Sequence, residues 1–118
     1  MDQGTRMGAE AGYRDPQHTP TREELDRLPG PVLLEFGTPW CGICRALAPK
    51  LVALLDAHPD VKHVKVEDGP GQPLGRSYKV RLWPNLVFLR DGVVVRQLAR
   101  PGLDELDEAF RAVQGRPV

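Results

Sequence analysis

The spacing of apolar positions changes several times along the chain, and each change marks an element. Residues 1–20 carry Gly, Pro, Asp, Gln and His with no apolar period, so they read as a flexible N-terminal tail before a domain over 21–118. Thr21-Arg22-Glu23-Glu24 has the form of a helix capping box, Leu25 and Leu28 follow at helical spacing, and Pro29-Gly30-Pro31 stops the helix. Val32 to Phe36 is apolar except for Glu35, the pattern of a buried strand, and it ends at the turn Gly37-Thr38-Pro39. Leu47, Leu51, Leu54, Leu55 and His58 then recur at helical intervals, so a helix runs from Cys41 and Cys44 to about Ala57. Pro49 falls inside it, removes a backbone donor and should kink it.

Val64 and Val66 alternate with His63, Lys65 and Glu67, which predicts a second strand. A Pro/Gly-rich loop follows, then a possible short helix over 74–79. Leu86 to Leu89 predicts a third strand, Arg90-Asp91-Gly92 a hairpin turn, and Val93-Val94-Val95 the start of a fourth strand that Pro101-Gly102 breaks. Leu103, Leu106, Phe110 and Val113 define a closing amphipathic helix, up to Gln114-Gly115. A strand–helix–strand unit implies parallel pairing with a right-handed crossover, and the hairpin adds antiparallel strands. The expected architecture is α/β, one mixed sheet flanked by helices on both faces.

Length allows one domain: the chain has 118 residues. Sixteen basic residues balance sixteen acidic ones, which gives no electrostatic reason to expect nucleic acid or an anionic membrane surface. No apolar stretch is long enough to span a bilayer. Taken as a native start, the N-terminus lacks the apolar segment of a secretory leader, so a cytoplasmic location is expected; a mature form with its leader removed reads the same way.

The two cysteines change the picture most. They stand three residues apart, and a bridge between them closes almost no loop, so chemistry explains them better than stabilisation. Cys41 follows a buried strand and a tight turn and opens a helix. Unpaired amide groups and the positive end of the helix dipole meet there and favour a thiolate. Cys44, one turn later on the same face, is expected to be more buried and less ionised. In this reading Cys41 attacks a partner's disulfide and Cys44 resolves the mixed disulfide. Glu35, interrupting an apolar strand, is the candidate proton carrier for Cys44, since a buried carboxylate without a partner should hold its proton more tightly. The alternative for Glu35 is a lysine partner such as Lys65, or solvent.

From Val32 to Phe110 the sequence resembles the thioredoxin family. The segment Glu35-Phe36-Gly37-Thr38-Pro39-Trp40-Cys41-Gly42-Ile43-Cys44 is similar to that family's strand and active-site motif, and Pro49, Trp83-Pro84 and Phe88-Leu89-Arg90-Asp91-Gly92 stand at matching distances. The resemblance implies a thioredoxin-like fold, a redox-active Cys41–Cys44 pair, Glu35 where the family has a buried aspartate, and a cis peptide before Pro84 facing the cysteines. It implies that Trp83, ahead of that proline, is free to pair its backbone with an extended substrate. It also implies disulfide-containing protein substrates, a reductase or other dithiol donor, and a monomer. Trp40, Gly42, Ile43, Trp83, Pro84 and Arg100 are the expected groove-shaping residues. Ile43 replaces the usual proline between the cysteines, Gly37 the usual tryptophan, and Trp83, Asn85 and Ala99-Arg100 depart near the substrate side, so a narrower set of partners is expected.

Zinc is a weak rival, because only His18, His58, His63 and the acids accompany the cysteines and none has ligand spacing; the histidines read as surface residues, with the helix side of the sheet as the alternative for His63. No phosphate-binding glycine loop occurs, and no cofactor is expected. Two functions stay open: a thiol–disulfide oxidoreductase, with reductase as the expected direction, and a thioredoxin-fold binding or chaperone module whose cysteines only sense redox state.

Overall fold

The computed structural model describes residues 9–115. After a single 3-10 turn at Pro16–His18, the elements are α1 (Arg22–Asp26), β1 (Pro31–Gly37), α2 (Gly42–Ala57), β2 (Lys62–Glu67), α3 (Pro73–Ser77), β3 (Asn85–Arg90), β4 (Val93–Ala99) and α4 (Leu103–Val113). The strands form one sheet in the order β2-β1-β3-β4; β1 pairs parallel with β2 and antiparallel with β3, and β3 and β4 form the hairpin.

Strand alternation sorts side chains onto two faces. Leu33 of β1 joins Leu47, Leu51 and Leu55 of α2 and Leu106, Phe110 and Val113 of α4 in one core. Val32, Leu34 and Phe36 join Leu25 of α1, Val64 and Val66 of β2 and Leu74 of α3 in the other. Helices cover both faces, so the central strand is apolar almost throughout. Phe88 and Phe110 meet edge to face at 5.2 Å and tie α4 to the sheet. The Thr21 capping box closes in both directions, the Glu24 N–H donating to the Thr21 hydroxyl and the Thr21 N–H to the Glu24 carboxylate. The hairpin turns on Asp91 and Gly92, both with positive φ. Gly92 also lies against the Asp26 backbone, where a side chain would overlap it.

The expected flexible tail needs correction for residues 9–20; residues 1–8 lie outside the described residues. Arg14 pairs in parallel with Val66, donating to the Lys65 carbonyl at 2.7 Å and accepting from the Glu67 N–H at 3.1 Å. The Glu10 carboxylate takes the Lys65 N–H at 2.9 Å and holds Arg14 in an ion pair. The strap therefore covers the outer edge of β2, whose backbone groups need partners. Its polar composition hides this, because it docks through hydrogen bonds rather than a periodic apolar face.

Candidate functional site

The strand β1 ends at Gly37, and after Thr38, Pro39, Trp40 and Cys41 the chain enters α2. Cys41 is the N-cap of that helix, in extended backbone conformation, and its sulfur accepts the Cys44 N–H at 3.2 Å. Cys41 is partly exposed and Cys44 buried, both as free thiols. Burial works against the Cys41 thiolate, but it is outweighed by the hydrogen bond from Cys44, by the amides of Cys44 and Ile43 and by the charge of Arg100. The net effect holds Cys41 below the ordinary thiol range. Burial pushes the Cys44 thiol up to about 11, and its hydrogen bond to Cys41 adds to the rise. Two sulfurs on one helical turn are thus driven in opposite directions.

Glu35 is fully buried in β1 and points to the same face as Gly37, toward α2. Its partner is neither Lys65 nor solvent. His63 Nε2 lies 2.8 Å from Glu35 Oε1 in a buried pair. The Glu10 N–H donates to His63 Nδ1 at 2.8 Å, so Nε2 carries the ring proton and donates to the carboxylate. Glu35 Oε2 has no partner among the described protein atoms. His63 corrects the expectation of a surface residue. It sits across from Leu33 in the parallel register and is covered by the strap. Of the other histidines, His18 is exposed, while His58 stacks on Phe110 at 5.2 Å and bonds Gln114.

The Trp83–Pro84 peptide is cis. Trp40, largely exposed, meets Trp83 edge to face at 5.7 Å. Trp83 is fixed in turn by its indole N–H, which donates to Asp68 Oδ2 at 2.9 Å. Asp68 escaped the sequence reading because nothing in a Pro/Gly loop marks one acid as the acceptor for a distant indole. Arg100 has positive φ and turns its Nε onto the Trp83 carbonyl at 2.8 Å. The expectation that Trp83 has a free backbone for substrate pairing is corrected for its carbonyl, which Arg100 covers.

Two grooves flank this ridge. One, of about 320 Å³, is lined by Trp40, Trp83, Asp68 and Pro70 among others. The other, of about 150 Å³, is lined by Ile43, Ala46, Leu47, Lys50, Pro84 and Arg100 with Pro101. The expected groove residues are therefore together, apart from Gly42, which starts α2 at the exposed surface and lines neither groove. Tyr13 is the site residue that sequence reasoning missed altogether. Its hydroxyl reaches from the strap to the space beside Gly37 that the Cys44 sulfur also adjoins, while the Lys65 ammonium stands 4.4 Å over its ring. Among the described residues no cluster of three or more His, Cys, Asp or Glu is arranged to hold a metal ion.

Comparison with known proteins agrees with this geometry. The thioredoxin family model matches residues 18–111. Thioredoxin 2 from Pseudomonas aeruginosa, solved in its reduced form, is 49% identical with a TM-score of 0.74, over 94% of this chain and 98% of that one. Thioredoxin-2 of Pyricularia oryzae is 37% identical over 57% of this chain and 39% of its own length. Protein disulfide-isomerase A2 of Pongo abelii is 37% identical over 72% of this chain and 20% of its own length. The chain thus spans well under half the length of these two curated relatives. A family match over most of the residues, with a partly exposed and a buried cysteine on one turn of a helix and a cis peptide before Pro84, leads to one conclusion: the chain belongs to the thioredoxin family.

Proposed function

We propose that this chain is a thiol–disulfide oxidoreductase that reduces disulfides in partner proteins, with Cys41 as nucleophile, Cys44 as resolving thiol and Glu35 as proton carrier. The observation that carries the reading is the divergence of the two sulfurs: Cys41 is partly exposed and its thiolate is favoured at the helix mouth, while Cys44 is buried and stays protonated. The Cys41 thiolate attacks one sulfur of the partner's disulfide, whose other sulfur leaves with the bonding electron pair. Cys44 then loses its proton and attacks Cys41; the second partner sulfur departs as a thiolate, and a Cys41–Cys44 disulfide forms. Two electrons pass to the partner, and a dithiol donor restores the starting state.

For the proton step, Glu35 is supported by its place on the same strand face as Gly37, one pleat away. A Cβ built at Gly37 would lie 2.8 Å from the Cys44 sulfur. His63 holds one carboxylate oxygen and leaves the other unpaired. Because His63 Nδ1 ends on a backbone N–H, the ring orients Glu35 rather than passing its proton onward.

The test is reduction of insulin driven by dithiothreitol. Activity in the native chain that vanishes in Cys41→Ser supports the reading. Equal inactivity of both proteins would overturn it in favour of a binding module with redox-sensing cysteines. For Glu35→Ala, slower turnover with Cys41 alkylation unchanged is expected; equal slowing of both would remove Glu35 from the proton step.

A further inference from the structure

We propose that Tyr13 is a further catalytic residue of the resolving half-reaction, its hydroxyl donating a hydrogen bond to the Cys44 sulfur as that sulfur attacks the mixed disulfide. The proposal rests on the oxidoreductase reading and deepens it.

The geometry begins with Gly37. A Cβ built there would lie 2.7 Å from the Tyr13 hydroxyl and 2.8 Å from the Cys44 sulfur. Both polar atoms therefore converge on the space that the missing side chain leaves, which sets the hydroxyl beside the sulfur. Tyr13 is brought there by the strap, which is fastened on both sides of it. Glu10 bonds the His63 ring and the Lys65 N–H, and Arg14 pairs with the backbone of Lys65 and Glu67. Fastening a loose, polar segment costs backbone entropy, and what it delivers to the interior is one phenol, next to the reacting sulfur.

The direction of the hydrogen bond follows from the charges around it. Burial, then the charges of Glu35 and Cys44, push the Tyr13 phenol well above its ordinary range, so it keeps its proton and acts as donor. Cys44 is faced by Cys41 on its own helix, by the Thr38 backbone at the end of β1 and by Tyr13 on the strap. Glu35 of β1 and Lys65 of β2 stand around the phenol. Burial is the largest influence raising Cys44, and the Thr38 backbone and Tyr13 act against it. A buried anion without donors is costly, and an O–H···S⁻ bond is charge-assisted. In the step itself Tyr13 loses nothing: the Cys44 proton leaves to Glu35, the Cys41–Cys44 bond forms as the bond from Cys41 to the partner sulfur breaks, and the departing sulfur takes the electron pair.

The chromogenic disulfide dithiobis(nitrobenzoate) separates the two half-reactions. Attack by Cys41 releases the first chromophore, and resolution by Cys44 the second. In Tyr13→Phe, which keeps the ring, the first release is expected at its native rate and the second about tenfold slower, the size of one charge-assisted hydrogen bond. In a Cys41→Ser background, adding Tyr13→Phe is expected to move Cys44 ionisation, followed by ultraviolet absorbance, about one pH unit upward. Unchanged second release together with unchanged Cys44 ionisation would overturn the role of Tyr13 and leave the oxidoreductase reading intact. A native protein that gives no second release would instead sink that reading, and the Cys44 titration would still decide whether Tyr13 serves the sulfur.

Discussion

The two sulfurs sit one helical turn apart, yet their surroundings are built in different ways. Cys41 is served by its own neighbourhood: the amides of Ile43 and Cys44, the Cys44 thiol and, from beyond, Arg100. Cys44 is served from afar, by the Thr38 backbone, by Tyr13 from the strap and by the face of β1 that carries Gly37 and Glu35. A helix mouth is a local device that any chain makes where a helix starts. A buried thiol that must ionise on demand needs donors and an acceptor delivered through tertiary structure. In the proposed mechanism the nucleophile is thus a property of a motif, and the resolving thiol a property of a fold.

Breaking the comparison at its centre has the largest expected effect. Cys44→Ala leaves the helix mouth in place, so Cys41 should still attack, but every encounter should end as a trapped mixed disulfide. Multiple-turnover reduction is expected to fall to background, with a covalent adduct to the substrate visible on a non-reducing gel. Sustained turnover in that variant would refute the division of labour. Next comes the support beneath Cys44. His63→Ala removes the ring that donates to Glu35 and accepts from Glu10, leaving a fully buried carboxylate without a partner. A loss of about 3 kcal/mol is expected in urea unfolding, the low end of the cost of breaking a buried pair. A change under about 1 kcal/mol would show that the pair is not what holds this part of the interior.

A gentler change sharpens the same contrast. Gly37→Ala places a methyl group 2.7 Å from the Tyr13 hydroxyl and 2.8 Å from the Cys44 sulfur. The strap is the softer neighbour, so Tyr13 should be the one displaced. The expected cost is about 1–2 kcal/mol of stability, typical of overpacking, with Cys41 alkylation unaffected and resolution slowed. Equal slowing of both half-reactions would mean that the turn before Cys41 moved instead of the strap.

The same contrast explains how much was legible in the sequence. The order of helices and strands, the capping box at Thr21, the hairpin at Asp91-Gly92 and the Cys41 helix mouth all follow from patterns within a few residues, and the structure carries each of them. Burial of His63 was not legible. Strand alternation put it opposite Val64 and Val66, but a polar residue on an edge strand reads as exposed until something covers the edge. What covers it is residues 9–20, whose composition resembles a tail because hydrogen bonds rather than a periodic apolar face dock them. Tyr13 was hidden for the same reason, and Gly37 was visible only as a missing side chain, without the residue that occupies its space. Asp68 and the Arg100 cover on Trp83 depend on contacts across 15 and 17 residues of chain, for which no spacing rule exists.

Arg100 offers the smallest and most discriminating change, because it acts on Cys41 from a distant part of the chain. Its positive charge favours the Cys41 thiolate, and its Nε caps the Trp83 carbonyl. With Arg100→Gln the charge goes, so Cys41 should ionise at higher pH than in the native chain. Its alkylation at neutral pH should therefore slow, and the deficit should close as pH rises until both thiols are fully ionised. The guanidinium is exposed, so the effect is about twofold at low salt and fades as salt screens it. Second-phase release by Cys44 should not change, since burial and the strap set that thiol. If Arg100→Gln slowed resolution as much as attack, the two sulfurs would share one electrostatic environment, and the separation between a local nucleophile and a tertiary resolving thiol would fail.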